Sequence, residues 1–260
     1  MSEKNILEKN IKLLMKDLRL SSMKNHYRDA LNRATQNEQS YEEFLLELLQ
    51  YEHDKRFNKR ISRLLKESKL PLEKTLELYD FKRIPMAATQ KAKALLQGDF
   101  LERKENVLVF GNPGSGKTHL LCGIAHELIL NNKRILFSTC SLLVQELLIS
   151  KRELALEKTL KKLSKFDAVI IDDIGYVQHN KTEMEVLFTF LADRYERASI
   201  MLTSNLPFSK WEKIFKDPMI TAAAIDRLVH HSVIIELNVE SYRLASAKKK
   251  QKKESKEAKS

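Results

Sequence analysis

Hydrophobic and polar positions follow two different rhythms, and the change falls near residue 105. Before it, apolar residues recur at helical spacing. Leu7, Ile11, Leu14 and Leu18 follow i, i+4, i+7, i+11 and predict the buried face of a first helix. Ser40 and Glu43 have the form of a capping box ahead of FLLELLQYE, so a long helix is predicted to start at Tyr41. It continues through EHDKRFNKRISRLLKESK until Pro71 breaks it. Along this helix Lys55, Lys59, Arg63 and Lys66 share one side, while Ile61, Leu64 and Leu65 supply a separate apolar side. The basic stripe reads either as a contact for a nucleic-acid backbone or as a solvated face.

From residue 106 the pattern becomes short continuous apolar runs separated by helical stretches. The runs are Val107–Phe110, Ile135–Thr139, Ala168–Ile171, Ile200–Thr203 and Val233–Ile235. Helices are predicted over Thr118–Leu130, Ser141–Leu163 with a break, and Thr182–Arg197. Continuous apolar runs mark strands buried on both faces, and their alternation with helices marks a parallel α/β sheet. Asn205, Pro207 and Pro218 puncture the stretch before the fifth run, which is expected to be looser. The organisation predicted is a helical region over 1–80, an α/β domain over 81–245 and a basic, unstructured tail over 246–260.

Composition narrows the class. Of 260 residues 43% are hydrophobic and 31% charged, and no run approaches the roughly 18 apolar residues of a membrane-spanning helix. The N-terminus, MSEKNILEKNIKLLMKD, has no apolar block of a secretory signal. Two cysteines, Cys122 and Cys140, make no disulfide framework. A cytoplasmic protein without membrane contact is expected. The net charge of +11 lies at the ends: residues 1–105 hold 22 Lys+Arg against 17 Asp+Glu, residues 106–245 hold 17 against 16, and the last fifteen hold 7 against 2. A basic periphery suits a polyanion partner, because neutralised phosphates release counterions.

Glycine is scarce, six in all, yet three fall within Gly111-Asn112-Pro113-Gly114-Ser115-Gly116-Lys117-Thr118. This string fits G-x-x-x-x-G-K-[ST] and lies directly between the strand NVLVF and the helix THLLCGIAHELIL. Such a loop turns successive N–H groups toward phosphate oxygens, and the following helix adds its N-terminal dipole. Lys117 is then expected on the β- and γ-phosphates and the Thr118 hydroxyl on Mg²⁺. The later run Phe166-Asp167-Ala168-Val169-Ile170-Ile171-Asp172-Asp173 is an apolar strand emerging into two acids. Asp172 is assigned to Mg²⁺, which favours oxygen ligands. Asp173, on the other side of the pleat, is the candidate for orienting or deprotonating a water.

The loop and the carboxylates, with RYERASIMLTSNLPFSKWEKIF and DPMITAAAIDRLVHHSVIIELNVESYR, resemble the IstB family. These are AAA+ ATPase helpers of insertion-sequence transposition, related to the DnaC/DnaI helicase loaders. The resemblance covers roughly residues 5–245. It implies an AAA+ P-loop NTPase fold, a five-stranded parallel sheet flanked by helices behind an all-helical N-terminal region. It also implies ATP and Mg²⁺ as cofactors, a DNA-stimulated ATPase, assembly into an AAA+ oligomer on double-stranded DNA, and a transposase as partner. The alternative within the same fold is a loader of a replicative helicase. By the same resemblance Asn205 senses the γ-phosphate, Arg227 in Ile225-Asp226-Arg227-Leu228 acts on the neighbouring subunit's nucleotide, and Arg243 is a candidate to approach the phosphates in its own subunit.

One departure stands out: many members place Glu where this chain has Asp173, a side chain one methylene shorter, and this is the ground for expecting slow hydrolysis. Trp211, with Phe208 and Phe215, is read as packing, and His230-His231 as an exposed pair with no third ligand nearby.

Overall fold

The computed structural model describes residues 3–175 and 180–242, with side chains of the first helix described from residue 5. The expectations for Arg243 and for the tail over 246–260 lie outside the described residues. Two compact units result, residues 1–63 and residues from 64 onward.

In the first unit, α1 (Glu3–Asp17), α2 (Ser21–Gln36) and the start of α3 (Tyr41–Ser68) surround a small core of Met23, Tyr27, Ala30 and Leu48. The capping box at α3 is complete: Ser40 N–H donates to Glu43 Oε2 at 2.7 Å, and Glu43 N–H donates to Ser40 Oγ at 3.2 Å. The buried face of α1 differs from the predicted stripe. Ile11 and Met15 pack on the core, whereas Leu7, Leu14 and Leu18 are exposed. At 100° per residue Ile11 and Met15 lie about 40° apart and share the contact sector facing α2, so of the predicted stripe only Ile11 packs on this core.

Glu52 anchors the unit. Its Oε2 accepts from the N–H groups of Ser22 and Met23 at 2.7 and 3.2 Å, which satisfies orphan donors at the start of α2. Arg56 donates to its other oxygen at 2.9 Å. Burial pushes the Glu52 carboxyl up, but these amide and guanidinium donors outweigh it and hold the group below the ordinary carboxylate value. Lys55, Lys59, Arg63 and Lys66 are all exposed on α3, and Ile61 and Leu64 are buried on its other side.

The second unit carries α4 (Met86–Leu95), α5 (Asp99–Glu102), β1 (Asn106–Gly111), α6 (Lys117–Leu130), β2 (Ile135–Thr139), α7 (Cys140–Arg152) and α8 (Leu156–Leu163). It continues through β3 (Ala168–Ile174), α9 (Lys181–Arg194), β4 (Ser199–Ser204), α10 (Glu212–Phe215), α11 (Pro218–Val229) and β5 (Ser232–Leu237). All five strands run parallel in the order β2-β3-β4-β1-β5. They coincide with the five predicted runs, each extended by two or three residues except the second. Every residue of β4 is buried, as a strand covered on both faces requires.

The stretch between β4 and β5 is more ordered than its prolines suggest. Asp217 caps α11 by accepting from Ile220 N–H at 2.9 Å, and Pro218 occupies the first turn, where it needs no donor. Trp211 is fully buried against Phe110, Phe208 and Phe215, with its Nε1–H donating to Leu206 O at 3.1 Å. It is packing, as predicted.

Arg194, from the signature RYER, is also buried. Its guanidinium donates to the carbonyls of Leu163, Phe166, Asp167 and Ser199 at 3.1, 3.1, 3.4 and 2.9 Å. It thereby ties the end of α8 to the entrances of β3 and β4. Burial lowers its pKa to about 10, still far above neutrality. Among the described residues no helix is long and apolar enough to cross a membrane.

Candidate nucleotide site

The glycine-rich loop leaves the end of β1 and returns as the first turn of α6. Gly116 precedes α6 at φ +95°, a backbone that L side chains rarely adopt, and a Cβ there would lie 3.2 Å from the Tyr79 ring. A Cβ on Gly111 would come within 2.5 Å of the Leu237 carbonyl oxygen, so the loop lies directly against the end of β5. Lys117, 6% exposed, folds its ammonium back into the loop and donates to Gly111 O at 2.8 Å and Asn112 O at 3.0 Å. The N-terminal dipole of the 14-residue α6 points into the same cradle.

The loop forms one wall of a cavity of about 720 Å³. Pro113, Gly114, Ser115, Gly116, Lys117 and Thr118 line it, as do Asp173 and Asn205. The segment before β1 adds Leu78, Tyr79, Arg83 and Ile84 to the lining. The segment after β5 lies against the loop, where Tyr242 N–H donates to Gly114 O at 2.8 Å. The Arg83 guanidinium lies 5.0 Å from the centre of the Tyr242 ring. Three buried polar atoms of the lining have no hydrogen-bond partner among the described residues: Ser115 Oγ, Tyr79 OH and Asn205 Oδ1. Burial raises the Tyr79 hydroxyl to about 12, so it stays a neutral donor. The two unpartnered hydroxyls, from Ser115 and Tyr79, can donate to an anionic chain, Asn205 Oδ1 can only accept, and the aromatic and aliphatic lining suits a flat base.

The carboxylates meet the loop across the sheet. Asp172 is 6% exposed, and its Oδ1 accepts from Thr118 Oγ1 at 2.8 Å and from Thr203 Oγ1 at 2.7 Å. Thr118 and Asp172 together offer hard oxygen donors side by side, a set that fits Mg²⁺. Asp173 is exposed toward the cavity, and simple alternation of the pleat does not put it there. The register between β3 and β4 slips between Ile171 and Ile174, and Asp173 takes φ +58°. Its N–H donates to Thr203 Oγ1 at 2.8 Å.

Arg227 is not brought to this cavity. It lines a separate concavity of about 200 Å³ with Arg103, Lys104, Asn106, Tyr195, Glu196 and His231. Its Nη1 donates to Ala223 O at 2.9 Å, and its guanidinium lies 4.9 Å from the Phe188 ring centre. Among the described residues no carboxylate pairs with it. The adjoining backbone is clamped by Asn106, whose Nδ2 donates to the carbonyls of Arg227 and Leu228 at 3.3 and 3.1 Å. Asn106 Oδ1 accepts from Ile200 N–H at 2.9 Å. Glu196, distant in sequence, joins His230 and His231 with ligand atoms all within 4.8 Å, a neighbour that the sequence did not announce. All three are exposed, and Arg103, Lys104 and Arg227 stand beside them, an unfavourable field for a cation.

Tyr79, Arg83 and Thr203 are the site residues that sequence reasoning missed. Tyr79 and Arg83 sit in a stretch without periodicity or motif, and Thr203 reads as one more position in a buried strand.

Comparison with known proteins agrees with this geometry. The family model described as IstB-like ATP binding protein matches residues 13–253. An insertion-sequence ATP-binding protein of Sinorhizobium fredii is 43% identical over 92% of this chain and 81% of its own length. The ATP-binding protein of insertion sequence IS21 from Pseudomonas aeruginosa is 37% identical over 92% of this chain and 90% of its own. Among solved structures, AMPPCP-bound DnaA of Aquifex aeolicus superposes with a TM-score of 0.56 at 18% identity, covering 71% of this chain and 56% of that one. DnaI gives 0.55 at 22%, covering 66% and 94%. These two likenesses speak for the AAA+ fold alone. A phosphate loop after β1, an acid at the end of β3 and sequence identity over nine-tenths of the chain converge: this protein belongs to the IstB-like family of insertion-sequence ATP-binding proteins.

Proposed function

We propose that this chain is a cytoplasmic, DNA-dependent ATPase that assists transposition, assembling on double-stranded DNA with ATP and engaging a partner transposase. The observation that carries the reading is the single oxygen of Asp172 taking the Thr118 hydroxyl at the rim of a cavity whose cradle holds unpartnered donors. In this reading Gly111, Asn112, Pro113, Gly114, Ser115 and Gly116 wrap the phosphates with backbone N–H groups, and Lys117 swings from the Gly111 and Asn112 carbonyls to the β- and γ-phosphates. Thr118 and Asp172 hold Mg²⁺, which when bound neutralises charge developing on the phosphates. Tyr79 and its apolar neighbours take the base. Asp173 and Asn205, which both line the cavity, orient the attacking water.

Arg227 serves the nucleotide of the adjoining copy, and its placement away from its own cavity supports that role. The transposition context is supported by the insertion-sequence relatives, and DNA contact by the basic stripe of α3 with the lysine excess at the chain ends. The helicase-loader alternative rests on likenesses to DnaC and DnaI at 16% and 22% identity, which carry no partner.

The test is phosphate release with and without duplex DNA, for the wild type beside Lys117→Ala. Turnover stimulated by DNA and lost in the variant is expected. ATP affinity unchanged by Lys117→Ala would overturn the site, and a wild type indifferent to DNA would overturn the DNA-dependent role.

A further inference from the structure

The slip between β3 and β4 has a specific form. Ile171 pairs with Leu202 and Ile174 pairs with Ser204, so two residues, Asp172 and Asp173, stand opposite one, Thr203. This is a β-bulge, and a bulge interrupts the ladder hydrogen bonds of its strand. Here the side chain of Thr203 supplies the bonding instead. It is fully buried, its Oγ1 accepts from Asp173 N–H at 2.8 Å, and it donates to Asp172 Oδ1 at 2.7 Å. A hydroxyl has one proton, so donation to Asp172 fixes the sense of the pair: the lone pairs face Asp173 N–H. The two acids that the ATPase needs are therefore set by one group, one through its carboxylate and the other through its backbone.

We propose that Thr203 is the positioning residue of this site, holding Asp172 toward the metal and holding the bulge that presents Asp173 to the cavity. The inference rests on the ATPase reading above. Left-handed backbone at Asp173 is uncommon for a residue other than glycine, and the Thr203 bond stabilises it. Without the bulge, strict alternation of the pleat would turn Asp172 and Asp173 to opposite faces of the sheet. With it, the buried carboxylate touches Thr118 while the next residue lines the same cavity. The single bond to Asp172 Oδ1 also leaves that carboxylate held by two hydroxyls, from Thr118 and Thr203, approaching one oxygen.

The test compares the wild type with Thr203→Val, which keeps the branched shape and removes the hydroxyl, and Thr203→Ser, which keeps the hydroxyl. Three quantities are read in each: affinity for a fluorescent ATP analogue, Mn²⁺ affinity of the complex with a non-hydrolysed ATP analogue by electron paramagnetic resonance, and hydrogen exchange at the Asp173 amide. Steady-state kcat and KM for ATP accompany them. Thr203→Val is expected to weaken Mn²⁺ roughly ten- to a hundredfold, the usual effect of removing a group that orients a metal ligand. It should also speed exchange at Asp173 and lower kcat with KM little changed, and Thr203→Ser should restore all three. Wild-type Mn²⁺ affinity and kcat in Thr203→Val would overturn the proposal while leaving the ATPase reading intact. A Thr203→Ser variant as impaired as Thr203→Val would also overturn it, by assigning the effect to the lost methyl. A wild type that binds no ATP analogue would bring down the ATPase reading and this inference with it.

Discussion

Thr118 and Asp172, 54 positions apart, meet side chain to side chain at 2.8 Å. Thr118 opens α6, which follows β1, whereas Asp172 lies on β3, and in the sheet β4 stands between β1 and β3. The first turn of α6 reaches across β4 to the end of β3, and the fully buried Thr203 of β4 is caught between them. Asp172→Asn keeps the shape and removes the charge. We expect it to bind ATP without metal normally, to need far more Mg²⁺ for tight binding, and to lose roughly a hundredfold or more in turnover. Nucleotide titration at several Mg²⁺ concentrations checks this; an unchanged Mg²⁺ requirement would remove Asp172 from the metal.

Arg227→Ala is expected to leave ATP affinity within about twofold and to slow hydrolysis at least ~10³-fold, the lower end for a trans-acting arginine. Mixing it with Lys117→Ala should restore part of the activity, because an intact loop from one variant meets an intact arginine from the other. The mixing curve is the measurement. No recovery at any ratio contradicts action between copies.

Arg194→Met should unfold the second unit at markedly lower temperature. Four carbonyls lose their donor in a buried setting, a cost of at least about 3 kcal/mol. That corresponds to roughly 10 °C for a unit of this size. Circular dichroism melting within 2 °C of the wild type would show that the guanidinium is dispensable.

Glu52→Gln probes the first unit through pH. The folded-state carboxyl is held below its ordinary value, so its contribution is full above that value and is lost as pH falls through the folded pKa. The variant should be less stable at pH 7 by about 2 kcal/mol, as expected for hydrogen bonds to a charged acceptor. The difference should shrink as the medium drops below about pH 4. Denaturant melts at pH 7 and pH 3 that show the same difference would exclude an ionised Glu52 as the anchor.

Periodicity located all five strands because burial on both faces leaves a continuous apolar signature that few other structures imitate. The phosphate loop was equally legible, since its glycines are demanded by local backbone geometry. The face of α1 was not, because a stripe of four leucine-type residues is compatible with several rotations and only the contact with α2 selects Ile11 and Met15. Tyr79 and Thr203 escaped for a related reason. Their importance comes from what lies across the cavity or across the ladder, and nothing in ELYDF or IMLTS encodes that proximity. The order after β4 was underestimated because Pro218 was counted as a breaker, although in the first turn of α11 it favours the helix.

β1 joins two things that the sequence keeps apart. Gly111 opens the phosphate loop at one end, and about 17 Å away Asn106 grips the Arg227 backbone at the other. With β4 and β5 hydrogen-bonded along its flanks, the strand holds these two ends at a fixed spacing. In any array where that arginine faces the next copy, the placement of a molecule's own cradle and the reach of its arginine toward the neighbour are therefore set together.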